Sequence, residues 1–529
     1  MRARDRACAC VLSHARLRSR LRARKRSRTS SPADLSLRAA VFVNLNYGSE
    51  AWLPNFFWHG ITYMSGPDLV EPAFHFCVGF ALRLVLPRRI EAARRAGAAG
   101  YLAPRWAVLR TLLATRVAGL IVVSMFFTEG WASFDSWSDV GGLRDWLTQV
   151  VQSVKPYHTL LHIALITVWA FPALASESWR ARAAMLVFTC TLHCVLLTTF
   201  YFQWIHDYGL DEGGYFAFVG WSIEALTGAL AFDLVAGALR AEQEAGGARE
   251  ELAAPLLDHV VEPKAGPKAA PTASLNSGGG GGGGGSGGGG SGGGGSGARR
   301  RGLRRMALER AALQLAGGGA ALMLVAYLLS CLGAHPSAAL NPVCFNSTRI
   351  YFWGGFGDAV PCSGVVTLGG GALVLPPFAV PDAERNVVTA WTMTQRAGSA
   401  TYHLFTAGTS AVILACLVAA SELGCAAPRW WRRGGAAARA ASAVLGLRTV
   451  TVEGGEASVL LFHSHVFEVF GENALAIYIA GDQVGDAVQA MIPADAPPWY
   501  FLCFGEVTYI GVLFVVASYL RAHKLFLRL

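Results

Sequence analysis

The sequence predicts an all-α fold, a polytopic transmembrane helical bundle of about nine or ten spans. Three observations predict it. The 529-residue chain is 53% hydrophobic and only 15% charged, too apolar for an ordinary soluble enzyme. Apolar runs of eighteen or more residues recur along it, each long enough as a helix to cross about 30 Å of hydrocarbon. Basic residues fall in alternate connections between those runs, the pattern that positive-inside insertion produces.

Residues 1–38 are rich in Arg and Ser and nearly lack acids, which suits either a transit peptide or a cytoplasmic basic arm. The apolar stretch Leu37–Asn44 is too short to span and reads as a truncated first helix. Residues 39–240 form a first transmembrane group with a luminal loop at 46–70. Its spans are Pro72–Leu86, with Arg83 near one end, then Ala107–Phe127, His158–Ala175, Ala183–Phe202 and Tyr215–Leu239. Residues 241–305 pass through Pro and Ala into the glycine run Gly278–Gly295, interrupted by Ser286 and Ser291. Such low-complexity sequence behaves as a flexible, disordered linker and buries no core. Residues 306–529 form a second group, with spans at Ala311–Gly333, Tyr402–Leu423, Asn473–Met491 and Tyr500–Leu520 and a long luminal loop at 334–400.

The net charge of +10 invites a nucleic-acid reading, and its distribution argues against one. Arg88, Arg89, Arg94 and Arg95 share one connection; Arg180 and Arg182, Arg299–Arg305, Arg429–Arg433 and Arg521–Arg528 mark the others. The intervening connections carry Glu129, Asp135, Asp139 and Asp145, then Asp207, Asp211 and Glu212. Threading the spans in order puts every basic connection on one side, so both termini are expected in the cytoplasm. The sequon Asn346-Ser347-Thr348 and the pair Cys344 and Cys362 share the largest loop of the opposite, luminal face. Membrane lipids are the expected surroundings, monomer and homodimer are both open, and no ligand spacing for a metal is present.

Ionisable groups within spans are costly and ask for a reason. Here they include Arg116, His162, His193, Glu224 and Asp233, with Glu71 and His75 near the luminal entrance of a span. One reading is pairwise satisfaction, such as Arg116 with Glu224 across a helix interface; the other is a polar cavity within the bundle. The luminal segment from Val41 to Gly79 carries Asn44, Asn46, Asn55, Trp58-His59-Gly60 and Asp68 ahead of a proline-started helix. His59 is its only imidazole before the span, a group able to move a proton near neutral pH.

In these residues the chain resembles the heparan-α-glucosaminide N-acetyltransferase group of membrane acyltransferases. The resemblance returns at Trp391-Thr392-Met393-Thr394-Gln395-Arg396-Ala397-Gly398, at Gly471-Glu472-Asn473-Ala474-Leu475-Ala476-Ile477-Tyr478 and at the terminal helix ending in Lys524-Leu525-Phe526. It covers about a third of the chain, in separated blocks in the family's order. It implies transfer of an acetyl group from cytosolic acetyl-CoA to a sugar amine on the luminal side, with a luminal-loop histidine and an asparagine serving the step. Asn44 matches that asparagine. Counted forward without gaps, the family's histidine position is held by Asn55, and His59 falls four residues later. A second motif histidine is replaced by Gly481, followed by Asp482 where the family has Glu.

The expected function is therefore acyl transfer, from acetyl-CoA as donor to a small-molecule or sugar-like acceptor. His59 is the expected base or acyl carrier, and Asn44 the group that stabilises the oxyanion. Asn55, Asp68, Asn473 and Asp482 are the expected substrate-binding residues, and Arg88, Arg89 and Arg432 the cytoplasmic cations for the donor's phosphates. The alternatives are a transporter or channel for a small polar solute, to which intramembrane Glu224 and Asp233 point, and a non-catalytic protein that retains the acyltransferase fold.

Overall fold

A computed structural model describes residues 64–127, 159–207, 214, 216–245, 294–331, 343–345, 359–360, 387–395, 398–420, 425–426, 447–451, 458–462, 469–471, 473–489 and 499–525. Helix α1 (Val70–Arg95) follows a short 3-10 turn, Pro67–Leu69. Asp68 stabilises that turn, its Oδ2 accepting the Ser65 backbone N–H at 2.7 Å and the Ser65 hydroxyl at 2.8 Å. Pro72 lies in the first turn of α1, where a missing N–H breaks no intrahelical bond.

The next span is built from α2 (Leu102–Leu112), a π-helical turn (Leu113–Val117) and α3 (Ala118–Phe127). Then come α4 (Thr159–Leu174), α5 (Trp179–Leu196), a second π-helical turn (Leu197–Tyr201), α6 (Phe202–Asp207) and α7 (Ala217–Ala245). Helix α8 (Gly294–Ser330) leads to α9 (Ala400–Val418), whose N-cap Ser399 accepts the Tyr402 N–H. The chain closes with α10 (Ala474–Gln489) and α11 (Trp499–Ala522). The 241–305 segment expected as a linker begins and ends in helix, because α7 runs to Ala245 and α8 begins at Gly294; residues 246–293 lie outside the described residues.

The bundle is all-α, with two small antiparallel sheets in the connections. Strands β1 (Val343–Phe345), β2 (Ala359–Val360) and β3 (Val387–Val388) are ordered β2-β1-β3, with Cys344 opposite Val360. Strands β4 (Cys425–Ala426), β5 (Leu447–Thr451) and β6 (Ser458–Phe462) are ordered β4-β6-β5. Cys362 lies outside the described residues, as does the truncated span expected at Leu37–Asn44.

Among the described residues, six helical stretches are long and apolar enough to cross a membrane: Val70–Arg95, Leu102–Ser124, Trp179–Ile205, Ala217–Arg240, Met306–Ser330 and Ala400–Val418. Two shorter apolar helices, Thr159–Leu174 and Val507–Ala522, accompany them. The burial pattern agrees with a multi-pass membrane protein. Val122, Val187, Phe188, Val195, Leu313, Leu324 and Leu328 face outward, while His75, His162, Arg182, His193, Glu224 and His403 are buried. Water would favour the opposite arrangement, and hydrocarbon favours this one. Hydroxyls of Thr167 and Thr227 are satisfied by the carbonyls one turn back, at 2.8 and 2.7 Å.

Helix α7 is the hub, packing on α1, α4, α5, α8 and α9. Glycine sets how near α1 comes to it. A Cβ at Gly79 would overlap the Ala225 carbonyl, and one at Gly228 would overlap that of Phe76. Helices α8 and α9 meet in the same way through Gly319 and Gly408. Without a hydrophobic drive between helices in lipid, such close backbone approach supplies the packing that holds them together.

Candidate functional site: a buried carboxyl–imidazole cluster

The N-terminal ends of α1, α4, α7 and α9 and the C-terminal half of α5 converge on the indole of Trp221, which is fully buried. His75 stacks on that ring with centroids 4.8 Å apart, and His403 meets it edge-on at 4.7 Å. Tyr402 lies 5.9 Å from it and His162 6.5 Å. His193 meets His403 edge-on at 5.2 Å. Around one indole the bundle thus gathers four imidazoles, and two carboxyl side chains, Glu71 and Glu224, bond to residues of the same helix ends.

Their hydrogen bonds decide which nitrogens are committed. His75 Nδ1 donates to the Glu71 carbonyl at 3.0 Å, because a carbonyl oxygen only accepts. By the same rule His193 Nε2 donates to the Gly398 carbonyl at 2.6 Å. His403 Nδ1 lies 2.9 Å from Glu224 Oε1, and the Thr406 hydroxyl donates to the same oxygen at 2.8 Å. Among the described residues, His75 Nε2, His193 Nδ1 and His403 Nε2 then have no partner, nor does Glu224 Oε2 or Glu71 Oε1. A carboxylate that accepts Nδ1–H fixes the ring and leaves Nε2 as the basic nitrogen, the arrangement that general-base chemistry uses.

Local sequence explains how the two rings fit against α7. A Cβ at Gly220 would overlap His403 Nε2 and lie 2.9 Å from His193 Nε2, so only glycine admits both rings there. Gly398 adopts φ 52°, the left-handed region that favours glycine, and turns its carbonyl toward His193 just before α9 begins. Gln395, in the same connection, donates to Glu71 Oε2 at 3.0 Å. The Tyr402 hydroxyl donates to the Asp68 carbonyl, and the Thr401 hydroxyl to that of Trp391. The segments 68–75 and 391–398 therefore meet beside the cluster, although they lie more than three hundred residues apart (Gln395 and Glu71 are separated by 324).

A second buried polar group lies farther along the bundle. Asp233 on α7 accepts Arg83 Nε of α1 at 2.9 Å and Arg182 Nε of α5 at 2.6 Å, and a second Arg182 nitrogen reaches the same carboxylate. Arg83 and Arg182 also donate to the carbonyls of Leu174 and Ser176, so three helices and the α4–α5 connection are tied together. Asp233 is thus a structural counter-ion. The Arg116–Glu224 pair expected from the sequence is corrected: the Glu224 side chain bonds His403 and Thr406, and no bridge to Arg116 forms among the described residues.

Of the sequence-derived site residues, Asp68 is buried beside the cluster with its carboxylate engaged by Ser65. Asn473 is buried just ahead of α10, its carbonyl accepting the Ile477 N–H at 3.0 Å and its side-chain amide without a partner among the described residues. Asp482 lies on α10, with its side chain outside the described residues. Arg88 and Arg89 lie on the C-terminal half of α1, half-buried and exposed respectively. His59, Asn44, Asn55 and Arg432 lie outside the described residues. The sequence reading did not single out His403 or Trp221. His403 lies one residue inside the edge of its apolar run, where a polar side chain is ordinary, and a lone Trp in a span carries no chemical signal. In comparisons with known proteins, the sequence matches no family model and no curated protein.

Proposed function

We propose that this membrane protein is an acyltransferase whose chemistry takes place at the His403–Glu224 pair, moving an acetyl group from acetyl-CoA to an amine or hydroxyl of a sugar-like acceptor. The observation that carries the reading is His403 Nε2. It is a buried basic nitrogen, backed by a carboxyl on the far side of its ring and uncommitted among the described residues; the resemblance of the neighbouring stretches around Glu71 and Gln395 to membrane acyltransferases supports reading it as an acyl-transfer base. In the step, Nε2 takes the acceptor's N–H or O–H proton as the acceptor nitrogen or oxygen bonds to the thioester carbonyl carbon. The carbon–sulfur bond then breaks, and the departing thiolate recovers the proton from the imidazolium. Glu224 holds the ring and stabilises its cationic form during the exchange.

In the same reading Asn44 stabilises the oxyanion, and His59, Asn55, Asp68, Asn473 and Asp482 belong to the acceptor side. Arg88, Arg89 and Arg432 receive the donor's phosphates from the cytoplasm, where both termini lie. Seventeen residues of α1 separate Arg88 from Glu71, about 26 Å of helix, which a long and flexible donor arm must bridge. The rival reading is proton-coupled transport, favoured by the enclosure of Glu224 and four imidazoles inside the bundle.

The test is acetyl-CoA binding and turnover by the purified full chain, with His403→Ala, His59→Ala and Asn44→Ala beside it. Binding with turnover lost in His403→Ala supports the assignment. Binding with turnover lost only in His59→Ala transfers the base role to His59. Absence of acetyl-CoA binding overturns the acyl-transfer reading, and a proton flux in proteoliposomes that His403→Ala abolishes would then establish the rival.

A further inference from the structure

Two imidazoles of the cluster approach one patch of backbone. His193 comes from α5 and His403 from α9, and their rings meet edge-on with centroids 5.2 Å apart. A Cβ at Gly220 would lie 2.3 Å from His403 Nε2 and 2.9 Å from His193 Nε2, so both nitrogens crowd the same spot on α7. The Gly398 carbonyl comes to that spot as well, accepting from His193 Nε2 at 2.6 Å. Side chains on a helix tilt toward its N-terminus, so His403, one turn inside α9, leans back toward the Gly398 peptide. Solvent reaches neither ring: His193 is 1% exposed and His403 0%.

A carbonyl oxygen only accepts, so the imidazole that bonds Gly398 must carry a proton on Nε2. In a neutral ring the other nitrogen is then bare. His193 is that imidazole, and its Nδ1 has no partner among the described residues. His403 is arranged the other way round, with Nδ1 2.9 Å from Glu224 Oε1 and Nε2 without a partner among the described residues. A buried N–H without an acceptor is costly, so a vacant Gly398 carbonyl would favour the form of His403 that carries a proton on Nε2. With His193 already on that oxygen, a second N–H aimed at it would set two like dipoles side by side.

We propose that His193 is a positioning residue for His403: its Nε2–H occupies the Gly398 carbonyl and so keeps His403 in the tautomer whose Nε2 is bare. The tautomer assignment stands on geometry, and its consequence for turnover rests on the acyl-transfer reading. His193 touches no reacting atom. It acts through His403, by engaging the carbonyl that would otherwise hold a proton on the nitrogen that must receive one from the incoming N–H or O–H.

The experiment is nitrogen NMR of the purified full chain with isotope-labelled histidine, in which bare and protonated ring nitrogens give separate resonances. Signals are assigned by their loss in His403→Gln and His75→Gln. His193→Phe keeps a ring in the space and has no donor, whereas His193→Gln keeps a donor, its amide standing where Nε2 stands. The wild type is expected to show His403 with Nδ1 protonated and Nε2 bare. In His193→Phe the proton signature should move to His403 Nε2, and kcat for acetyl transfer should fall about tenfold with KM for acetyl-CoA unchanged. His193→Gln should restore both. His75, held by the Glu71 carbonyl on α1, is the reference for the fold and should keep its signals in both variants. A protonated His403 Nε2 in the wild type, a bare one in His193→Phe, no recovery in His193→Gln, or an equal change at His75 overturns the proposal. The spectra are read whether or not acetyl transfer occurs: the expected tautomers without turnover overturn the acyl-transfer reading and support the positioning of His403 by His193.

Discussion

Asp233→Asn isolates the counter-ion role of that carboxylate. The change keeps shape and a hydrogen-bonding oxygen but removes the charge that two guanidiniums share. Arg182 is 1% exposed and Arg83 11%, so neither can turn into water to recover its hydration. Removing one partner of a buried ion pair costs about 3–5 kcal/mol, because the other charge stays buried and uncompensated. Two terms reduce that figure here. Asp233 is itself 20% exposed, and both arginines keep carbonyl partners at Leu174 and Ser176. A loss of about 2–4 kcal/mol remains, given as the range for one broken buried pair after these reductions. The assay is reversible denaturant unfolding of the purified protein, read alongside the double variant Asp233→Asn with Arg182→Met. Removing one of the two stranded guanidiniums should restore part of the loss, Arg83 remaining without its carboxylate. An Asp233→Asn protein as stable as wild type, or a double variant as unstable as the sum of the singles, would refute the counter-ion account.

Three further outcomes follow from the packing and the cluster. Gly228→Val should separate α7 from α1, because its Cβ has no room beside the Phe76 carbonyl; a loss of a few kcal/mol is expected, about 1–3 for overpacking of this kind, while Gly237→Val, in open space, should be near neutral in the same unfolding assay. Gly220→Ala should leave the helices folded and displace the His403 and His193 rings, which imidazole NMR would register as shifted ring resonances; unchanged resonances would refute the placement. Tyr402→Phe removes the hydroxyl bond to the Asp68 carbonyl and should cost about 1 kcal/mol, measured in the same way.

The bundle was largely legible because its signals are local. A run such as Ala183–Phe202 names a helix by length and apolarity, and the structure places one at Trp179–Leu196, continued through a π-helical turn. The π-helical turns themselves left no mark in composition, since they depend on how one extra residue is absorbed against neighbours. The candidate site was legible only in part. His193, Glu224, His162, His75 and Glu71 stand out in sequence because ionisable groups in apolar runs are costly, and all five lie in the cluster. Their partners did not stand out, because pairing is a matter of tertiary approach. Glu224 and His403 are 179 residues apart, and nothing local distinguishes that pair from the Arg116–Glu224 pair expected instead. Asp233 shows the same limit from the other side, since its arginines come from α1 and α5.

The most direct test of the central claim is a double-mutant cycle on acetyl transfer, using Glu224→Gln, His403→Ala and the two together in the reconstituted full chain. General-base catalysis contributes about 10²–10⁴-fold, so His403→Ala should lower kcat by at least about a hundredfold. Groups that act as one unit are non-additive, so the double variant should be no slower than His403→Ala alone. Transfer that survives His403→Ala, or single losses that multiply in the double variant, would contradict the claim that the two side chains act together on the acyl group.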